Sequence, residues 1–106
     1  MNASELYYKA AEIISERGLA KKKAQDEETG AVCMSGALSL AWYGTVYFIV
    51  NDHEYTTAWR CIEASACMIL QDRGKGLHFV DFNDAPETSK EDVILLLKEC
   101  GSRLEI

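Results

Sequence analysis

The chain has little positive charge: 11 lysines and arginines stand against 17 aspartates and glutamates, a formal net charge of -6. Nonspecific binding to nucleic acid draws most of its affinity from a basic surface, so we expect no nucleic-acid partner. Long apolar runs are also absent. The apolar stretch at residues 45–50 is far shorter than a membrane span, and we expect no membrane segment.

The sequence lacks the motifs that are typical of metal-binding and phosphate-binding sites. No Cys-x-x-Cys or His-x-x-x-His pair offers closely spaced metal ligands, and no glycine-rich loop has the context of a phosphate site. The first residues lack the basic region and apolar run of a secretory signal. We therefore expect a cytoplasmic protein with four reduced cysteines, no metal and no cofactor.

The length of the chain and the spacing of its apolar residues indicate the fold class. A chain of 106 residues, 48% of them hydrophobic, is typical of a single globular domain covering residues 1–106. Apolar side chains recur at helical spacing near residues 4–17, 31–42, 52–70 and 89–103. Gly18 and Gly44 are expected to end the first two of these helices. We predict a mainly α domain of about four helices.

Residues 45–50 are β-branched and aromatic, which favours a strand. The candidate partner is residues 78–82. The sequence leaves two alternatives open: these segments pair as a short two-stranded β element, or both are extended connectors.

Residues 82–93 carry strong local signals. Asn83 and Asp84 favour a turn because their side chains bond their own backbone. Pro86 fixes its own φ and disfavours helical backbone at Ala85. We predict a loop here, followed by a helix.

Helix starts are also predicted from capping residues. Thr88 and Glu91 match a capping box at the start of the last helix. Ser4 is the predicted N-cap of the first helix, without the acidic partner that completes a box.

The connector at residues 19–30 holds three consecutive lysines, residues 21–23, followed by three acidic residues, 26–28. We favour a solvated loop in which the opposite charges largely cancel. The alternative is a basic contact patch.

Reactive potential centres on Cys33, which lies near the predicted start of the second helix, where the helix dipole favours a thiolate. His53 and His78 are available as bases. A free cysteine is more commonly a small core hydrophobe, so we favour a structural role.

Gly36 costs about 1 kcal/mol relative to alanine inside a helix, so we expect another helix to cross there.

Two runs of the chain resemble a family of small bacterial and phage proteins known as domain of unknown function 6197. They are Cys-Met-Ser-Gly-Ala-Leu at residues 33–38 and Phe-Asn-Asp-Ala-Pro at residues 82–86. The first helix is also similar, with weaker specificity. The resemblance implies no established activity. It implies that the residues common to the members of this family include Cys33, Gly36, Asn83, Asp84 and Pro86.

Two hypotheses about function follow. The first is a small acidic, non-catalytic binding protein, of phage type, that contacts a host protein or a second copy of itself. Its support is the negative charge, the prominent aromatic residues and the lack of a catalytic set. The alternative is a small-ligand or nucleotide-binding protein, or an enzyme, with a site near Cys33 and the Asn83-Asp84 loop. The candidate ligand or partner residues are Cys33, Gly36, His78, Asn83, Asp84 and Pro86.

The two hypotheses predict different surfaces. A concave pocket that holds Cys33, Asn83, Asp84 and a histidine would favour the ligand-binding alternative. A filled core with an exposed aromatic patch would favour protein contact. Because the chain is acidic, a nucleotide site would additionally need a local basic pocket.

Overall fold

A computed structural model describes residues 3–44 and 79–103 of the chain. These ranges contain four helices, which we number α1 (Ala3–Arg17), α2 (Met34–Tyr43), α3 (Phe79–Asp84) and α4 (Lys90–Arg103). The mainly α fold is therefore confirmed. The helix predicted near residues 52–70 lies outside the described residues, and so does the segment at residues 45–50, for which the sequence leaves a strand and an extended connector as alternatives. None of the helices within the two described ranges has the length and apolar character needed to cross a membrane.

Helix α1 forms where the sequence predicts it. Its apolar residues at positions 6, 7, 10, 11, 13 and 14 recur three and four positions apart and are buried, whereas Tyr8 is exposed. Gly18 ends the helix as expected: its φ of 95° is left-handed, and its amide donates to the Ile14 carbonyl at 2.8 Å. Ser4 is not the N-cap, because the helix already includes Ala3. The Ser4 hydroxyl instead donates to the Gly101 carbonyl of α4 at 2.8 Å.

The core of the described residues is built around α1, which packs against both α2 and α4. α2 in turn contacts α3. The largest fully buried side chains are Leu6, Tyr7, Ile14, Met34, Leu38, Phe82, Leu96 and Leu97. Burial of this apolar surface is the main stabilising term, and it brings the two ends of the chain together.

Helix α2 begins later than the periodicity indicates. The prediction started it at residue 31, but Cys33 is the N-cap, with extended backbone at φ −81° and ψ 173°. Gly44 ends the helix as expected, and its amide donates to the Leu40 carbonyl at 2.8 Å.

Helix α3 corrects the interpretation of residues 78–82. Residues 79–82 are neither a strand nor an extended connector, because they lie in a helix that continues to Asp84. Phe79 and Val80 have a high intrinsic preference for strands, but this preference is weak and tertiary packing overrides it. Here the helix places Phe82 in the core, with 1% of its surface exposed.

The predicted turn formers also lie elsewhere than expected. Asn83 and Asp84 belong to the last turn of α3, not to the loop. The helix ends there because Pro86 disfavours helical backbone at Ala85.

The capping box of α4 lies one residue further along than predicted. Ser89, not Thr88, caps the helix: its Oγ accepts from the Asp92 amide at 3.1 Å. The Asp92 carboxylate accepts from the Ser89 amide at 2.9 Å, which completes the box. Thr88 is buried in the loop that joins α3 to α4.

Candidate functional site

The connector between α1 and α2 is an ordered segment folded onto the start of α2. Leu19 and Gln25 each form an isolated β-bridge with Val32. The Ala20 amide donates to the Val32 carbonyl at 2.9 Å. Backbone hydrogen bonds therefore hold the connector in place without a regular strand.

Asn83 joins α3 to both of these elements. Its Oδ1 accepts from the Met34 amide at 2.9 Å, and its Nδ2 donates to the Ala20 carbonyl at 3.1 Å. The side chain is buried, with 2% of its surface exposed. Asn83 is thus a long-range cap of α2, supplied by a helix almost fifty residues away in the sequence.

Two connector lysines contact the end of α3 and the loop after it. The Lys21 ammonium donates to the carbonyls of Ala85 and Thr88. The Lys22 amide donates to Asp84 Oδ1 at 2.8 Å. Lys21 is half-buried, so the expectation of a wholly solvated loop is wrong for this residue.

Cys33 and Gly36 form the first turn of α2 against the connector. The Cys33 thiol accepts from the Gly36 amide at 3.2 Å and lies 3.2 Å from Ser35 Oγ. A Cβ atom added at Gly36 would lie 2.5 Å from the Ala24 carbonyl oxygen. The expected close approach at Gly36 exists, but the connector backbone makes it, not a crossing helix.

The amides at the N-terminus of α2 are largely satisfied within the protein. The Met34 amide bonds Asn83, the Gly36 amide bonds the Cys33 thiol, and the Ala37 amide donates to the Cys33 carbonyl at 2.8 Å. These donors are therefore not free to bind a ligand.

A cavity of about 240 Å³ lies where the connector, the start of α2 and the end of α3 meet. The side chains and backbone that line it are Lys22, Lys23, Ala24, Cys33, Met34, Ser35, Asn83 and Asp84. Within the described ranges, no hydrogen bond or ion pair engages the ammonium groups of Lys22 and Lys23. The cavity thus combines two available cations with the Asp84 carboxylate.

The structure brings three of the sequence-predicted site residues to this cavity: Cys33, Asn83 and Asp84. Gly36 lies beside it, one turn into α2, while Pro86 is exposed in the loop after α3 and does not line it. His78 lies outside the described residues.

The sequence does not identify the other five residues that line the cavity, which are Lys22, Lys23, Ala24, Met34 and Ser35. The basic run at residues 21–23 was the available signal. The sequence favours a solvated loop there because the basic run is short and acidic residues follow it, whereas the fold places Lys22 and Lys23 at the wall of the cavity.

Metal binding has no geometric support in the part of the chain that the structure describes. No group of three or more histidine, cysteine, aspartate or glutamate side chains is arranged there to hold an ion.

Cys33 is expected to react slowly with a thiol reagent in the native protein. Cys33 and Cys100 are buried and form no disulfide. Only 9% of the Cys33 surface is exposed, and its sulfur caps α2. Labelling with a chromogenic disulfide near neutral pH, followed by peptide mass spectrometry, should show Cys33 modified only as the protein unfolds. Cys100, with no exposed surface, is the internal reference, and rapid labelling of Cys33 alone would indicate an activated thiolate.

The fold and the cavity together define a mainly α protein with a small charged pocket. The chain matches the model of a family of unknown function, DUF6197, over residues 1–103, and it belongs to this family. The resemblance seen in residues 33–38 and 82–86 is thereby confirmed. Comparisons with curated proteins and with solved structures give no match. Because the family carries no assigned activity, function has to be argued from the pocket.

Proposed function

We propose that this chain is a non-catalytic binding protein whose pocket takes a small anionic molecule. The observation that carries the proposal is the pair of available lysines, Lys22 and Lys23, at a cavity in a chain of net charge -6. A local basic pocket is the condition that an acidic chain must meet to bind an anion.

The local charge balance supports an anionic ligand. Two lysines and one aspartate are among the residues that line the cavity, so the formal charge of its lining is positive. The Asp84 carboxylate is partly engaged, since its Oδ1 accepts from both the Lys22 amide and Asn83 Nδ2. The Lys21 ammonium, held by the Ala85 and Thr88 carbonyls, adds a further positive charge to the same connector.

The size of the cavity restricts the ligand. Pockets that enclose drug-sized molecules have volumes of roughly 300–1,000 Å³. At about 240 Å³, this cavity would hold a small metabolite or the charged end of a larger molecule such as a nucleotide. Lysine ammonium groups bind phosphate and carboxylate as point charges.

The position of Cys33 supports binding over catalysis. Its thiol accepts the Gly36 amide hydrogen bond and so caps α2. A thiol that stabilises the start of a helix has a structural role. This agrees with the sequence analysis, which favours a structural role for Cys33 over a nucleophilic one.

The proposal is tested by titrating the protein with inorganic phosphate and with ethyl phosphate, following backbone amide shifts by NMR. Shifts should concentrate at residues 22–24 and 33–35. A variant that combines Lys22→Gln and Lys23→Gln keeps side-chain length but loses both charges, and its affinity should fall about tenfold or more.

The matched control for this titration is Lys9→Gln on the exposed face of α1, which should bind like the parent. Absence of binding by the parent would contradict the proposal. Equal loss of affinity in Lys9→Gln would also contradict it, because the effect would then reflect net charge instead of the pocket.

Contact with a protein partner stays a prediction. In the described ranges, the exposed large hydrophobic side chains are Tyr8 and Leu95, at 37% and 58% exposure. Single exposed apolar residues are common on soluble proteins and do not define an interface. The described surface therefore supports the pocket more directly than it supports protein contact.

A further inference from the structure

We propose that the pocket recognises a small zwitterion, in which Lys22 and Lys23 bind the anionic group and Asp84 binds an amine. This inference rests on the proposed function and specifies its ligand. Its basis is the presence of both signs of charge on the wall of a single small cavity.

The Asp84 carboxylate has one oxygen engaged and one available. Oδ1 accepts from the Lys22 amide at 2.8 Å and from Asn83 Nδ2 at 3.0 Å. No hydrogen bond or ion pair within the described ranges involves Oδ2. Because Asp84 is half-buried and lines the cavity, this oxygen can accept a hydrogen bond from a ligand.

One hydrogen bond holds the Asp84 carboxylate next to the backbone of Lys22. Lys22 has left-handed backbone, with φ at 64°, and its amide bonds Asp84. This conformation is costly for a residue with a side chain, so the contact with Asp84 is part of what maintains it. The carboxylate and the adjacent ammonium-bearing residue are therefore positioned together, as one unit of the pocket wall.

Such an arrangement favours a zwitterion over a ligand of a single charge sign. A simple anion pairs with the lysines but leaves Asp84 Oδ2 without a partner, so it is bound less tightly. A simple cation would meet the excess positive charge of Lys22 and Lys23. A small molecule with an anionic group and a protonated amine pairs with both, and charge-assisted hydrogen bonds are the strong ones.

Four probes test this inference, in two matched pairs. Phosphoethanolamine is compared with ethyl phosphate, and β-alanine with propionate, since each pair differs mainly by the amine. The parent should bind at least one zwitterion about tenfold or more tightly than its matched anion, the ratio that one charge-assisted hydrogen bond supports. The pair that shows the preference identifies phosphate or carboxylate as the anionic group.

The Asp84→Asn variant tests the role assigned to the carboxylate. Asparagine retains an oxygen that can accept from the Lys22 amide, but it loses the negative charge. The variant should bind ethyl phosphate at least as well as the parent and lose the preference for the amine. Asp81→Asn, an exposed change on the same helix and away from the cavity, is the control and should keep the preference.

The outcomes separate this inference from the proposed function. Equal binding of zwitterion and matched anion by the parent overturns the inference while the anion pocket stands, and this comparison does not depend on the variant folding. A preference that survives Asp84→Asn overturns the role of Asp84. No binding of any of the four probes overturns both the inference and the proposed function.

Discussion

Replacing Gly36 with alanine is expected to destabilise the protein, although alanine is the better helix former. The propensity gain is about 1 kcal/mol for Gly→Ala inside a helix. Against it, the new Cβ would lie 2.5 Å from the Ala24 carbonyl oxygen. That carbonyl accepts from the Cys33 amide at 3.1 Å, so it cannot move away without weakening the connection to α2. We expect a net loss of about 1–3 kcal/mol in the free energy of unfolding, and a larger loss for Gly36→Leu.

Gly101→Ala is the matched control, because Gly101 is also a buried helical glycine. Its added Cβ would lie 3.0 Å from the Tyr8 ring, which is a partly exposed side chain and can shift. Urea denaturation followed by circular dichroism should therefore show Gly101→Ala close to the parent. If Gly36→Ala is as stable as the parent, the close approach of the connector does not exist in solution.

Asn83→Ala is expected to have the second large effect, a loss of about 2–4 kcal/mol in the free energy of unfolding. The change removes the partners of the Met34 amide and the Ala20 carbonyl, two groups in the interior where connector and helix meet. Each buried polar group left without a partner costs about 1–3 kcal/mol. The same change removes the Nδ2 hydrogen bond to Asp84.

Asp81→Ala is the control for Asn83→Ala, since it lies on the same helix with an exposed side chain. Surface substitutions of this kind change stability by about 0.5 kcal/mol or less. The two variants should be compared in urea under identical conditions. A change below about 0.5 kcal/mol for Asn83→Ala would mean that this side chain does not hold the connector to α2.

The two stability predictions and the binding predictions concern one unit of structure. Gly36 and Asn83 hold the connector against α2 and α3, and this arrangement forms the wall of the pocket. Lys22, Lys23 and Asp84 provide its charges. Variants of the first group should lower stability, whereas charge-removing variants of the second group should change ligand affinity at nearly unchanged stability.

Local signals in the sequence predicted the longer helices of the described ranges well. The apolar periodicity of α1 and α4 is regular, and Gly18 and Gly44 end their helices as expected. Errors occurred at helix starts. The sequence favours Ser4 and Thr88 as caps because several polar residues near a helix start can each satisfy the same amides, and apolar periodicity places the start of α2 at residue 31 because it continues past the cap.

Short elements and distant contacts were decided by tertiary structure. The run at residues 79–82 has side chains suited to a strand, yet burial of Phe82 against the core favours a helix. No local pattern could show that Asn83 caps α2, that Lys21 binds the loop after α3, or that Ala24 approaches Gly36. Each of these contacts depends on which segments the fold brings together.

The sequence alone determined the fold class, the helix-ending glycines and the membership of the family, because periodicity, turn chemistry and the runs at residues 33–38 and 82–86 are local properties of the chain. Only the tertiary structure decided that Cys33, Asn83 and Asp84 meet Lys22 and Lys23 at one cavity. Along the chain, the lysines are next to acidic residues that cancel their charge. In the fold, Asn83 donates a hydrogen bond to the connector and Asp84 accepts one from it, which holds the connector across the start of α2, so the same lysines line the pocket.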